Sequence, residues 1–181
     1  NGEIIYDPTR QASMASRVPG SVWKVTKNVG DPVEVGEVLA VIDAAGVGEI
    51  KTALLRALAE QKLQQQNVSR LSSARAAIAG SRILDANAAL AKAQADVLAA
   101  EQSLRNLGLP AEVGELQGLS EQQVLDRLRL LGIPDELRAQ LNSRTVTSNL
   151  LPIRSPIQGV VVQRSVSAGE VVDPTRILFQ V

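Results

Sequence analysis

Hydrophobic and polar positions divide the chain into a β region, an α region and a second β region. Residues 49–107 contain no Pro and a single Gly, and strong helix formers dominate them. Residues 18–43 and 155–181 instead carry short apolar runs rich in Val and Ile, separated by Gly and Pro. The pattern predicts a helical segment inserted between two groups of short strands.

The two β regions repeat one pattern and align without a gap at an offset of 139 residues. Neither half can bury its apolar face alone, because a few short strands are marginal in water. We therefore expect the halves to pack on each other, with Ile42 close to Ser155. The matched pairs are Gly20 with Gly159, Val22 with Val161, Gly30 with Gly169, Val33 with Val172, Val38 with Ile177, Leu39 with Leu178, and Ile42 with Val181.

The second part of the helical region has a heptad repeat typical of a coiled-coil seam. Its first set of positions is Ile83, Leu90, Val97 and Leu104, and the set three residues later is Ala86, Ala93, Ala100 and Leu107. A weaker seam in the first part comprises Ile50, Leu54, Ala57, Val68, Leu71 and Ile78, with Gln61, Gln64 and Arg75 interrupting it. The two registers differ by one residue at Gly80-Ser81, which favours a turn there and an antiparallel hairpin with arms of about 45 Å. One continuous helix is the alternative.

Two Gly-x-Pro sequences after the hairpin, at Gly108 and Gly132, each follow a Leu-Arg-x-Leu run and are typical of helix ends. Between them Ser120 and Gln123 fit a capping box, which predicts a helix from about Glu121 to Leu131. Pro134-Asp135-Glu136 suits the first turn of a further helix that ends near Asn142. Residues 143–149 then form a linker.

Composition excludes most catalytic chemistry. The chain has 181 residues, 19 basic and 19 acidic residues, no His and no Cys. Disulfides, thiol nucleophiles and the usual zinc sites are therefore excluded, and zero net charge disfavours nucleic-acid binding. No run reaches the roughly 18–20 apolar residues needed to span a bilayer, and residues 1–3 do not begin a signal peptide.

Two candidate chemical sites do not survive inspection of their residues. Gly46, Gly48, Lys51 and Thr52 resemble a phosphate-binding loop, but Ile50 stands where that motif needs Gly. A flexible elbow explains both glycines. The carboxylates Glu34, Glu37, Glu170 and Asp173 fall in predicted turns, where solvated surface is the default. We predict no catalytic residue, no cofactor and no metal site, and hence no enzyme.

The two β halves resemble those of biotinyl and lipoyl carrier domains, in which a Lys at the joint takes the prosthetic group. Here about 110 residues open that joint, and its nearest lysine, Lys51, is predicted to be helical. A split lipoyl-like domain with a helical hairpin resembles the periplasmic adaptors of bacterial efflux systems, also called membrane fusion proteins. The resemblance rests on residues 17–20 (RVPG), 30–39 (GDPVEVGEVL), 155–161 (SPIQGVV) and 168–172 (AGEVV). Residues 127–134 (RLRLLGIP) are similar to a segment of the heavy-metal branch serving resistance-nodulation-division pumps.

This resemblance implies an α+β fold, a split lipoyl-like (barrel-sandwich hybrid) domain with an inserted antiparallel coiled-coil hairpin and extra short helices. It also implies a structural adaptor that forms a ring and links an inner-membrane transporter to an outer-membrane channel, with no nucleic-acid partner. The hairpin tip is expected to dock on the channel, with Arg75 and Arg82 able to bond its carbonyls or carboxylates. The expected docking residues are Arg75, Ala77, Ile78, Ala79, Gly80, Ser81, Arg82 and Ile83.

Several features depart from the family pattern. The Arg, Leu and Ser found at seven-residue spacings around many adaptor tips are not reproduced. The family's β-barrel and membrane-proximal domains are not represented, so we expect a fragment of a longer protein. The whole protein is expected in the periplasm, anchored to the inner membrane through a segment outside this sequence.

The expected boundaries follow from the resemblance and the repeat. Residues 1–16 are expected as a remnant strand from a β-barrel domain, in which Tyr6 and Met14 lack their neighbours. Residues 17–45 and 150–181 form the two lipoyl-like halves, residues 46–108 the hairpin with its tip near 77–83, and residues 109–149 the extra helices and linker. An adaptor of an ABC-type exporter or type I secretion system, and a lipoyl or biotinyl carrier domain, remain as alternative functions.

Overall fold

The computed structural model describes residues 8–73, 80–116, 118–139, 141 and 147–181. The chain divides into two compact units. The first, here called the β unit, comprises the chain up to Gly48 together with Gly132–Val181. The second, the helical unit, is Glu49–Leu131.

The strands follow the predicted order β, α, β. They are β1 (Ser13–Ala15), β2 (Gly20–Val25), β3 (Pro32–Val33), β4 (Val38–Asp43), β5 (Leu150–Arg154), β6 (Gly159–Val160), β7 (Gln163–Arg164), β8 (Val171–Val172) and β9 (Ile177–Gln180). The helices are α1 (Ala45–Ser73), α2 (Gly80–Asn106), α3 (Val113–Leu116), α4 (Glu121–Arg129) and α5 (Asp135–Arg138), and a 3-10 turn spans Pro8–Arg10.

The sheets of the β unit combine strands from both halves of the repeat. A four-stranded sheet has the order β5-β4-β2-β8, a three-stranded sheet β1-β9-β7, and a two-stranded sheet β3-β6. Gly20 pairs with Val172 of the other half, and Val33 pairs with Gly159. Because these two pairings are equivalent under the 139-residue offset, the halves pack on each other as predicted.

The core of the β unit includes the apolar positions that the repeat matched, except Ile177, which is 43% exposed. Leu39 and Leu178 are fully buried, and Val22 and Val161 are 2% and 0% exposed. Burying such side chains stabilises the fold by roughly 1.5–3 kcal/mol each.

The expected proximity of Ile42 and Ser155 is wrong in detail. β4 and β5 are antiparallel, and Ile42 lies opposite Leu151. Ser155 instead exchanges backbone hydrogen bonds with Gly36 and Glu37, at the other end of β4. The predicted second β region began at Ser155 and therefore omitted β5. The contact expected between Ser155 and Ile42 was thus placed at the wrong end of the β4–β5 pair.

Met14 does not lack neighbours. It is 7% exposed and pairs with Phe179 in the β1–β9 ladder, so β1 belongs to the β unit. Tyr6 lies outside the described residues.

The extra helical segment contributes to both units. Its part from Gly132 covers β4 and β5, in a cluster of Val38, Val41, Ile133, Leu137, Leu141 and Leu150. α5 ends at Arg138 rather than near Asn142, and α4 ends at Arg129 rather than at Leu131. The four-residue α3 was not predicted.

Candidate functional site at the helical hairpin

The expected docking tip is only partly described. Arg75, Ala77, Ile78 and Ala79 lie outside the described residues. Gly80, Ser81, Arg82 and Ile83 form the first turn of α2, so the expected turn at Gly80-Ser81 is wrong, because both residues are helical. Gly80, Ser81 and Arg82 are exposed, and Ile83 is half-buried.

The heptad seam of α2 is confirmed by burial. Ala86, Ala93, Val97 and Leu104 are at most 5% exposed, and the other predicted seam positions are half-buried. Alanine at such positions permits a close approach of the partner helix. α1 and α2 form the predicted hairpin, so the single continuous helix is excluded.

The seam of α1 is less apolar, as its sequence indicates. Leu54 is fully buried, whereas Gln61 and Gln64 are half-buried at seam positions. The side-chain amide of Gln64 donates a hydrogen bond of 2.7 Å to Glu60. Its polar group is therefore satisfied by its own helix.

A buried lysine near the start of α1 was not anticipated as such. Lys51 is 2% exposed, and its Nζ donates to the carbonyl oxygen of Arg129 at 3.4 Å. Burial lowers the pKa of Lys51 to about 8, because the charged form loses its hydration. The acceptor belongs to the last residue of α4, where helix carbonyls lack intrahelical partners and favour cations.

The capping signals of the extra segment are confirmed. Ser120 and Gln123 form the reciprocal hydrogen bonds of a capping box at the start of α4. Gly108 and Gly132 adopt φ values of +78° and +77°, as glycines that end helices do. An ion pair of 3.1 Å joins Arg127 to Glu115.

An open groove of about 690 Å³ lies along α1 in the helical unit. Its apolar lining comes from α1 and from the segment around α3 and α4, and polar side chains border it. The residues that line the groove include Leu58, Ala59, Gln61, Leu63 and Gln94. Gln61 of α1 and Gln94 of α2 both line this groove.

Neither the phosphate-loop nor the carrier hypothesis gains support from the structure. Gly46 and Gly48 lie in the first turn of α1, so they do not form the expected flexible elbow. A Cβ at Gly48 would lie 2.0 Å from Oδ1 of Asn149, so this glycine permits a close approach. Lys51 lies inside α1 and is buried, unlike the exposed lysine of a carrier hairpin.

Three of the four turn carboxylates, Glu37, Glu170 and Asp173, bind residues of their own half of the β unit. The pKa of Glu37 is lowered chiefly by the Lys27 side chain, whose Nζ lies 2.6 Å from Oε1 of Glu37. Arg176 lowers the pKa of Glu170, and the Thr175 hydroxyl lowers that of Asp173. Among the described residues, no three acidic side chains cluster as metal ligands. Within the same ranges, no helix combines the length and apolarity needed to cross a membrane.

Residues 10–181 match the protein family described as the CzcB-like barrel-sandwich hybrid domain. The cobalt-zinc-cadmium resistance protein CzcB of Cupriavidus metallidurans is 29% identical over 182 residues, covering 94% of this chain and 27% of that protein. The cation efflux system protein CzcB of an Alcaligenes species gives the same values. The chain thus spans about a quarter of the length of the curated relatives it matches.

Solved structures show the same fold. ZneB of Cupriavidus metallidurans superposes with a TM-score of 0.60 at 23% identity, covering 97% of this chain and 61% of ZneB. A MacA–MexA chimera containing the hairpin of Pseudomonas aeruginosa MexA gives a TM-score of 0.57 at 22% identity, covering 94% of this chain and 46% of the chimera. Both of these chains extend well beyond the matched region.

Proposed function

Since this chain belongs to the CzcB-like barrel-sandwich hybrid domain family, we propose that it is part of a periplasmic adaptor for cation efflux. The adaptor joins an inner-membrane transporter to an outer-membrane channel and has a structural role without catalysis. The names of the two curated relatives support export of divalent metal cations as the process served.

The observation that carries this proposal is the long hairpin inserted between the two halves of the β unit. α1 has 29 residues and α2 has 27, so each arm is about 40 Å long at 1.5 Å per residue. Paired helices of this length form a stiff spacer, whereas a carrier domain needs only a short hairpin at the same joint.

We place the contact with the channel at the tip, residues 75 and 77–83. Arg82 is exposed in the first turn of α2, where its guanidinium can reach carbonyl or carboxylate groups of another protein. Arg75 is included from the sequence. The adaptor copies are arranged as a ring around the transport path.

Charge reversal at the tip tests this proposal in cells that depend on the pump. The double variant Arg75→Glu with Arg82→Glu is expected to lower tolerance to cobalt, zinc or cadmium while adaptor abundance is unchanged. Arg105→Glu, at the far end of α2, is the matched control and should retain tolerance. Full tolerance in the double variant would show that the tip arginines do not dock.

A further inference from the structure

The chain that follows α2 folds back over the first part of α1. We call residues 109–116 and 118–131 the flap, which contains α3 and α4. An ion pair of 3.1 Å between Glu115 and Arg127 joins these two helices. The flap is a packed helical element rather than a loose connection, because it buries several apolar side chains. Those that are at most 7% exposed are Leu109, Ala111, Leu116, Val124 and Leu128.

Both ends of the flap are fixed. Leu109 is fully buried at the first end. At the other end, the carbonyl oxygen of Arg129 accepts the hydrogen bond of 3.4 Å from Nζ of Lys51. Just outside the two ends stand Gly108 and Gly132, with φ values of +78° and +77°. Residues at the ends of elements, often small ones, absorb the change of backbone direction when a lid moves. The flap is thus anchored at its ends and has a glycine beside each anchor.

The middle of the flap borders the open groove along α1. Gly118 there has a φ of +94°, and a Cβ on it would meet nothing within 4 Å. The groove of about 690 Å³ is therefore a space left between α1 and the flap. Its lining residues from the flap are Leu116, Gly118, Leu119, Glu121 and Val124.

α4 runs antiparallel to α1 beside this groove. Its last residue, Arg129, contacts Lys51, and its first residue, Glu121, lines the groove together with Lys62. At 1.5 Å per residue, Lys51 and Lys62 are about 16 Å apart along α1, and Arg129 and Glu121 are about 12 Å apart along α4. The contact between Lys51 and Arg129 can therefore serve as a pivot. Glu121 lies at the end of α4 that a small rotation about this pivot moves furthest.

The two walls of the groove carry opposite charges that are not joined. Lys62 and Glu121 are both exposed, and no ion pair within the described residues includes either of them. Leu63 lines the groove and is 57% exposed. Moving the flap towards α1 brings the two charges together and removes apolar surface from water. Both changes favour closure of the groove.

We propose that the flap closes on α1 by pivoting about the contact between Lys51 and Arg129, so that Glu121 pairs with Lys62. In the closed state Leu119 covers Leu63. An exposed ion pair contributes little free energy, so the open and closed states are close in free energy and interconvert. Closure places a further helix along α1 and stiffens the part of the arm that precedes Leu63. This inference concerns a single chain and goes beyond the proposed function.

Distances between spin labels at Arg56→Cys and Gln122→Cys test the movement, because the sequence contains no cysteine. Both positions are exposed and lie outside the groove lining. We expect a longer and a shorter distance, of which Lys62→Glu should remove the shorter one. Combining Lys62→Glu with Glu121→Lys should restore it, and Lys92→Glu, on α2, is the matched control that should change nothing. A distribution that Lys62→Glu leaves unchanged, or that the charge exchange does not restore, would overturn the proposal.

Alkylation of a cysteine in the groove measures closure independently. Leu63→Cys is expected to react with iodoacetamide several times more slowly than Leu84→Cys, whose position on α2 is 71% exposed. Glu121→Gln should accelerate the reaction of Leu63→Cys, because it removes the ion pair that holds the flap closed. Glu112→Gln, at an exposed carboxylate of the flap outside the groove lining, is the control and should leave the rate unchanged. Equal rates for Leu63→Cys with and without Glu121→Gln would contradict closure of the flap.

Discussion

The backbone amide of Gly30 donates a 2.8 Å hydrogen bond to the carbonyl oxygen of Val161, which lies in the other half of the β unit. The equivalent bond under the repeat runs in the opposite direction, from the amide of Gly169 to the carbonyl of Val22 at 2.7 Å. The halves are therefore joined by reciprocal bonds around an approximate two-fold axis. Each bond begins at a glycine with positive φ, +93° and +85°.

Replacing either of these glycines by alanine should destabilise the β unit. Gly30→Ala and Gly169→Ala each force a Cβ into a left-handed conformation, at a cost of about 1 kcal/mol or more. Gly80→Ala is the control, because Gly80 is helical and a Cβ there meets nothing within 4 Å. We expect this control to stabilise the hairpin by up to about 1 kcal/mol. Urea unfolding followed by Trp23 fluorescence and by circular dichroism separates the two effects. Equal behaviour of the three variants would contradict the role of positive φ.

The inner seam of α2 should be far less tolerant of charge than its neighbouring position. Val97 is 3% exposed, and Val97→Asp buries a carboxylate and should cost several kcal/mol. Leu98 is 64% exposed, so Leu98→Asp should retain the helix. Ellipticity at 222 nm measures the difference. The same loss in both variants would mean that the seam is misplaced.

Lys51 should make stability rise with pH above neutrality. Its pKa is about 8 in the folded chain and 10.5 in the unfolded chain, so the unfolded state binds more protons between these values. Below pH 8 both states are charged, and burial costs about 3 kcal/mol. Raising the pH through this window removes that cost.

Lys51→Met tests this linkage against the exposed Lys92→Met. At pH 7 we expect Lys51→Met to be more stable than the parent by about 1–2 kcal/mol, since the lost bond to Arg129 offsets part of the gain. The advantage should shrink towards pH 10.5. A pH-independent difference, measured from urea midpoints at both pH values, would argue against a desolvated ammonium.

The capping box should control the stability of α4. Ser120→Ala removes the hydroxyl that accepts a hydrogen bond from the backbone amide of Gln123. This change should lower the stability of the helix by about 1 kcal/mol. Hydrogen exchange is expected to accelerate in residues 121–129 and to stay unchanged in the β unit. Ser103→Ala, whose hydroxyl donates to the Ala99 carbonyl of its own helix, is the control. Unchanged exchange in α4 would show that packing alone holds this helix.

The repeated patterns could be read from the sequence. Residues that depart from the usual structural preference of their type could not. Heptad spacing and the 139-residue repeat are both regular signals, and burial follows them except at Ile177, which is 43% exposed although its match Val38 is buried. β5 was missed because Pro152 disfavours a strand, although an edge strand such as β5 tolerates proline. The burial of Lys51 was missed because lysine is rarely buried, and the acceptor, Arg129, lies 78 residues away.

The candidate docking site was less accessible to sequence reasoning than the fold. The tip was placed by resemblance and a register change, and its four residues before Gly80 lie outside the described ranges.

The hairpin leaves and rejoins the β unit at neighbouring positions. Asp43, the last residue of β4, pairs with Leu150, the first residue of β5, and the Ala44 amide donates to the Asn149 carbonyl at 3.0 Å. Any insertion whose two ends lie one strand spacing apart can therefore be accommodated without altering the sheet. Evolution can lengthen, shorten or exchange the arm by whole helical turns, so the distance the arm spans can change while the domain that carries it stays the same.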